Sequence, residues 1–202
     1  MNMVYQTNRL ILKILTPEYV REVLAFQMRN QELFERYEPA RPADFYTHAH
    51  QNMIMKCEFK LATKLTTIRY YVFLPHDPRT IIGTVCLHNV QKAPYHCCEI
   101  GYKFDASYQH QGYAREAVQK ILEVAFSDLR LHKVFARVMP ENTASIRLLH
   151  SLSFVDEGIE HDCTLIRGRW EDHLRLSLIS PFDRPNVQNL TPQYTDTNSQ
   201  NG

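Results

Sequence analysis

The sequence predicts a mixed α/β fold, with one mostly antiparallel sheet of about six to seven strands flanked by helices and containing one parallel pair. Three observations predict it. Short apolar runs recur along the chain, and most are bounded by turn-forming residues. Two of them, Ile68 to Leu74 and Thr80 to Asn89, are joined by Pro75-His76-Asp77-Pro78-Arg79, a turn that makes an antiparallel hairpin. A third unit is strand, helix, strand: His96 to Phe104, an amphipathic stretch from Tyr113 to about Leu129, then His132 to Val138. A strand, a crossover helix and another strand make a parallel pair.

The chain has 202 residues, enough for one domain with its own core. That domain is expected over residues 1–180. From Pro181 the chain is polar and rich in Pro, Asn, Gln and Thr, so 181–202 reads as a disordered tail. A hydrophobic fraction of 44% and a formal charge of +1 give no reason to expect nucleic acid or membrane as a partner. No apolar run approaches the roughly 20 residues that span a bilayer, and no signal peptide is apparent, so a cytoplasmic protein is expected. The five cysteines are odd in number and sit in apolar settings, which argues against a disulfide framework. Cys97 and Cys98, adjacent on a strand, point to opposite faces. Cys86-x-His88 and His48-x-His50 each lack a second pair at zinc-site spacing, and no metal is expected.

The remaining elements follow in order. Arg9 to Leu15 reads as the first strand. Thr16 and Pro17 open a helix that uses Val20, Val23, Leu24 and Met28. Asn30 onward is irregular across Glu38-Pro39-Ala40-Arg41-Pro42 and then helical from about Phe45 to Lys64. Asn142 N-caps a helix that runs to about Leu152. Phe154 to about His161 and Trp170 to Ile179 are the last two strands.

The stretch that organises the chain is Tyr108-Gln109-His110-Gln111-Gly112-Tyr113-Ala114-Arg115-Glu116-Ala117. It leads from a strand into the amphipathic helix, whose first N–H groups lack partners and carry the positive end of the dipole. Such an end suits a phosphate group. Gly112 lets an anion approach the backbone, no acidic side chain intervenes from 109 to 114, and Arg115 adds a cation. On these cues alone an ordinary strand-to-helix turn is at least as good a reading.

Resemblance separates the two. Gln109-x-x-Gly112-x-Ala114 resembles the Gln/Arg-x-x-Gly-x-Gly/Ala acetyl-CoA loop of the GNAT superfamily of N-acetyltransferases. Gly112-Tyr113-Ala114-Arg115-Glu116-Ala117 is similar to its RimJ/RimL-like branch, which often has a further glycine where this chain has His110. Thr7-x-Arg9-Leu10-x-Leu12, Ile82-Gly83, Pro140-x-Asn142-x-Ala144-Ser145, Glu157-Gly158 and Gly168-Arg169-Trp170-Glu171-Asp172-His173 also resemble that branch. Leu152-Ser153-Phe154 stands where the branch usually has Leu-Gly-Phe. The likeness covers about Tyr5 to Ile179.

The resemblance implies the GNAT fold, with the parallel strands splayed apart, and direct transfer of an acetyl group from acetyl-CoA to a primary amine, perhaps a protein N-terminus. It implies that Gln109 and the amides of Gln111, Gly112, Tyr113, Ala114 and Arg115 hold the pyrophosphate. The pantetheine arm would lie along Tyr102, Lys103 and Phe104, with Asn142 bonding it from the other side while capping its helix. Ser145 would protonate the thiolate or merely satisfy its helix turn. Glu99 would accept the amine's proton through a water or sit in a cross-strand ion pair; the sequence leaves both open. Phe34, Tyr37, Phe45, Tyr46, His48 and His50 fall in the region beside the acceptor groove and mostly read as packing. A non-catalytic acyl-CoA-binding module and an acetyltransferase for antibiotics or polyamines remain alternatives. The oligomeric state is open between monomer and homodimer.

Overall fold

The computed structural model describes residues 1–183, so most of the expected tail lies outside the described residues. Eight strands form one sheet in the order β1-β2-β3-β4-β5-β6-β8-β7. In chain order the elements are β1 (Val4–Gln6), β2 (Ile11–Lys13), α1 (Val20–Arg29), α2 (Gln31–Glu35), α3 (His48–Thr63), β3 (Ile68–Phe73), β4 (Gly83–Gln91) and β5 (Cys97–Phe104). There follow α4 (Tyr113–Glu123), β6 (Lys133–Val138), α5 (Thr143–Ser151), β7 (Val155–Ile166) and β8 (Arg169–Ile179).

The sheet is antiparallel except for β5 and β6. It has one strand more than expected: Val4–Gln6 pairs with β2, a run too short and too exposed to show a period. The region expected to be irregular after Asn30 contains the short α2. The helix expected from about Phe45 begins at His48, where Thr47 caps it by accepting from the His50 N–H at 3.2 Å. Beyond Glu123 the long helix loosens into a π-helical turn, Val124–Asp128. Met28, expected inside, is 56% exposed; Phe26 takes its place.

The main core lies between the sheet and helices α4 and α5, with Ile100, Phe104, Ala117, Val118, Ile121, Val134 and Leu149 among its members. A second cluster packs α1, α2 and α3 on the opposite face through Val23, Phe26, Phe34, Met55 and Phe73. Cys98 is buried in the first core while Cys97 is half-buried, as strand alternation requires. Gly83 is a close-approach position. A Cβ there would sit 2.4 Å from the Phe104 ring, so this glycine lets Phe104 close the core.

One feature of the sheet makes the site. The β5–β6 ladder runs through Cys97–Lys133, Cys98–Val134 and Glu99–Phe135 and then stops, although β5 continues to Phe104 and β6 to Val138. The strands diverge. The edge of β5 that faces β6 therefore has no strand partner from Ile100 onward.

Candidate active site

A cleft of about 610 Å³ opens between the diverging strands. Its walls come from the ends of β5 and β6, the loop before α4, the first turns of α5, the segment around α2, and His173 of β8. Of the residues expected at the site, Tyr102, Lys103, Phe104, Gln109, Gly112, Tyr113, Ala114, Arg115, Asn142 and Ser145 line it. Gln111 and Glu99 do not.

The loop has the shape an anion needs. Gly112 is the N-cap of α4 in the left-handed region, φ 79° and ψ 0°, and no side chain caps the helix. The N–H groups of Gln111 through Arg115 have no acceptor among the described residues. His110, at φ 59°, also takes the left-handed conformation. A non-glycine residue there costs roughly 1–2 kcal/mol, yet histidine is among the types that adopt it more readily. The loop thus keeps a backbone shape suited to glycine, and the exposed imidazole stands at the rim. The Gln111 side chain turns back to donate to the Ser107 carbonyl at 3.3 Å. Arg115 and Arg147 line the cleft and have no carboxylate partner among the described residues, which leaves two cations for phosphate groups.

The loop is propped by the N-terminal strands. Glu116, in the first turn of α4, accepts from the Thr7 hydroxyl at 2.6 Å, the Arg9 N–H at 3.0 Å and Arg9 Nε at 2.7 Å. Burial alone would raise the Glu116 carboxyl; these bonds outweigh it and hold the pKa below its ordinary value. Arg9 Nη1 also donates to the Gln111 carbonyl at 3.0 Å, and the guanidinium lies 4.8 Å from the centroid of the Tyr113 ring. In the sequence, Thr7-x-Arg9 carries a resemblance and no task of its own. Its partner, Glu116, is distant in the chain, and no local period connects them.

Asn142 does two things at once. Its Oδ1 accepts from the Ser145 N–H at 3.2 Å and so caps α5, while the residue lines the cleft and its side-chain nitrogen has no acceptor among the described residues. Ser145 Oγ lies 2.8 Å from the Tyr102 hydroxyl, which also reaches the Ser145 carbonyl at 3.2 Å. Burial pushes the Tyr102 phenol up to about 12, so it stays protonated and can donate to Ser145.

Strand alternation places Lys103 on the other face, toward α1 and α2. Its ammonium is 2.8 Å and 3.2 Å from the two Glu38 oxygens, 3.2 Å from Gln27 Oε1 and 4.3 Å from the centroid of the Phe34 ring. Burial pushes Lys103 down to about 8 against the pull of Glu38. Glu38 is the acidic residue lining the cleft, and Arg41 engages it as well.

Glu99 takes the cross-strand ion pair. Its two oxygens accept from Arg137 Nε at 3.0 Å and Nη2 at 2.8 Å, and it lines a neighbouring cleft of about 500 Å³ that shares Arg137 with the first. His173 was missed as a separate candidate; only the Gly168–His173 segment carried a signal. Among the described residues no group of three or more His, Cys, Asp or Glu side chains is placed to hold a metal ion. No helix among them is long and apolar enough to cross a membrane.

A diverging parallel pair and a helix start with unpartnered amides, opening on one cleft, fit an acyltransferase that uses an acyl-coenzyme A. The family described as acetyltransferase (GNAT) domain matches residues 9–155, and the chain belongs to that family. A probable N-acetyltransferase of Bacillus subtilis (strain 168), YjcK, is 33% identical over 162 residues, 80% of this chain and 89% of the relative. The [ribosomal protein uS5]-alanine N-acetyltransferase of Escherichia coli (strain K12) is 28% identical over 177 residues, 87% and 90% of the two chains. The crystal structure of the ribosomal-protein-S5-alanine acetyltransferase from Vibrio fischeri superposes with a TM-score of 0.85 at 27% identity, covering 91% of this chain and all of that one. These relatives put the chain in the RimJ/RimL-like branch. It is an acetyltransferase with acetyl-CoA as co-substrate.

Proposed function

We propose that the protein acetylates the free N-terminal amine of a polypeptide. The observation that carries this reading is the single cleft in which unpartnered loop amides and the Ser145–Tyr102 pair meet. The diphosphate sits on the amides of residues 111–115 and the pantetheine arm lies along the free edge of β5, where a backbone N–H polarises the thioester carbonyl. The amine nitrogen attacks the thioester carbon, the C–S bond breaks, and the sulfur takes a proton through the Ser145–Tyr102 pair, which is restored by the proton that the nitrogen sheds on becoming an amide. The products are the amide and CoA.

The charge around the acceptor end supports a peptide over a polyamine. A polyamine site needs free carboxylates, and the carboxylate that lines this cleft is already engaged by Lys103 and Arg41. Two relatives named as alanine acetyltransferases of a ribosomal protein support a protein acceptor.

The experiment follows CoA release from acetyl-CoA with a synthetic peptide bearing a free N-terminal alanine, the same peptide blocked at its terminus, and spermidine. Release with the free peptide alone is expected. Release with spermidine and not with the peptide would contradict the reading.

A further inference from the structure

We propose that His173 is the catalytic base that removes the proton from the acceptor amine. This rests on the acetyltransferase reading and adds a residue to it. Leu174 pairs with Val138, the last residue of β6, so His173 stands just past the end of that strand, in the cleft wall. It is 7% exposed, and what it shows is shown to the cleft.

The contacts of its ring assign the tautomer. Nδ1 lies 3.2 Å from Cys163 Sγ and 3.4 Å from the Glu171 carbonyl. A carbonyl only accepts, and we assign the proton to Nδ1 on that contact; a Cys163 S–H donated to Nδ1 would instead put it on Nε2. The Cys163 S–H reaches the same carbonyl at 3.6 Å, which leaves the sulfur's lone pairs toward Nδ1. Nε2 then carries a lone pair, and it has no hydrogen-bond partner among the described residues. A ring fixed by a carbonyl at one nitrogen and open at the other is the arrangement a general base requires.

The competing groups are engaged. Both oxygens of Glu99 accept from Arg137, and those of Glu38 from Lys103 and Arg41. His110 lies at the phosphate end. Ser145 and Tyr102 stand on the α5 side and serve the opposite transfer, a proton to sulfur. The titratable or charged groups around His173 are Cys163 and its register partner Glu160 on β7, Asp172 and Arg175 of its own strand, and Arg137 in the cleft wall. In the step, Nε2 takes a proton from the ammonium, the freed nitrogen attacks, and His173 returns that proton to solvent.

The test compares wild type and His173→Gln with acetyl-CoA and the alanine-terminal peptide across pH, with CoA affinity measured by calorimetry. A loss of about 100-fold or more in kcat is expected, together with loss of the acid limb of the wild-type profile. CoA affinity should stay within about threefold. An active variant that keeps both rate and acid limb overturns the proposal while leaving the acetyltransferase intact. A wild type that binds CoA and acetylates no amine overturns both. Imidazole nitrogen shifts of the CoA-bound wild type give a second measurement that needs no variant. The Nδ1-protonated tautomer is expected, and the Nε2-protonated one overturns the assignment.

Discussion

Arg9 shows how much one side chain can organise. It binds the first turn of α4 through Glu116, the loop through the Gln111 carbonyl and the Tyr113 ring through its guanidinium face. About half of the side chain is exposed, so its ion pair contributes little to global stability. Its effect is on loop shape. Arg9→Ala is expected to weaken CoA binding roughly tenfold, about 1.4 kcal/mol, while the midpoint of urea unfolding moves little. Calorimetric titration with CoA, beside an unfolding curve, checks both. Lysine at this position would keep the charge and lose the forked contact. At this scale the sequence made Gly112, Asn142 and Ser145 legible because each stands in a short motif with a local reason. Arg9 and His173 were not legible in that way, since their partners lie on other elements and only the folded sheet brings them together.

The end of α5 illustrates the scale of the element. Leu152 is the C-cap, Ser153 follows at φ 66°, the Ser153 N–H reaches the His150 carbonyl at 2.9 Å, and the Phe154 N–H reaches the Leu149 carbonyl at 3.1 Å. That is a Schellman motif, with buried Leu149 and Phe154 making its hydrophobic contact. Its left-handed position favours glycine, and the sequence already marked Ser153 as the departure. Ser153→Gly should therefore stabilise the protein by about 0.5–1 kcal/mol and raise its melting temperature by roughly 1–4 °C. Differential scanning calorimetry reads the shift, and a lower melting temperature would show that the serine is not strained. The long periodic elements, α4 above all, were legible because their apolar residues face one core. Short β1, the α2 turn and the π-helical end of α4 were not, because tertiary contacts set them and no period reports them.

For the whole molecule, buried titrating groups set how stability responds to acid. Burial, reinforced by Arg69, pushes His88 down to about 4 from an ordinary value near 6.5. Between those values the unfolded chain binds a proton that the folded one refuses. Stability is therefore full above about pH 6.5 and falls as the pH drops toward 4. Below that, Asp105 and Glu116 contribute in the same sense. Burial opposes their ionisation, but hydrogen bonds from Asn30 and Arg29, and from Thr7 and Arg9, hold both pKa values below the ordinary range. Urea unfolding at a series of pH values should show stability declining below 6.5, and His88→Asn should flatten the decline between 6.5 and 4. An unchanged slope in that variant would assign it elsewhere. The fold class and the parallel pair were readable at this scale because strand, amphipathic helix and strand follow one another with short links, the usual form of a parallel crossover. The place where β5 and β6 part was not, since ladder register leaves no trace in composition.

The measurement closest to the central claim is a crystal structure of the protein with CoA bound. The account predicts diphosphate oxygens about 2.7–3.2 Å from backbone N–H groups of residues 111–115, with the pantetheine arm along β5 and its sulfur near Ser145. A coenzyme whose diphosphate lay away from those amides, or whose sulfur pointed away from the gap between β5 and β6, would contradict it.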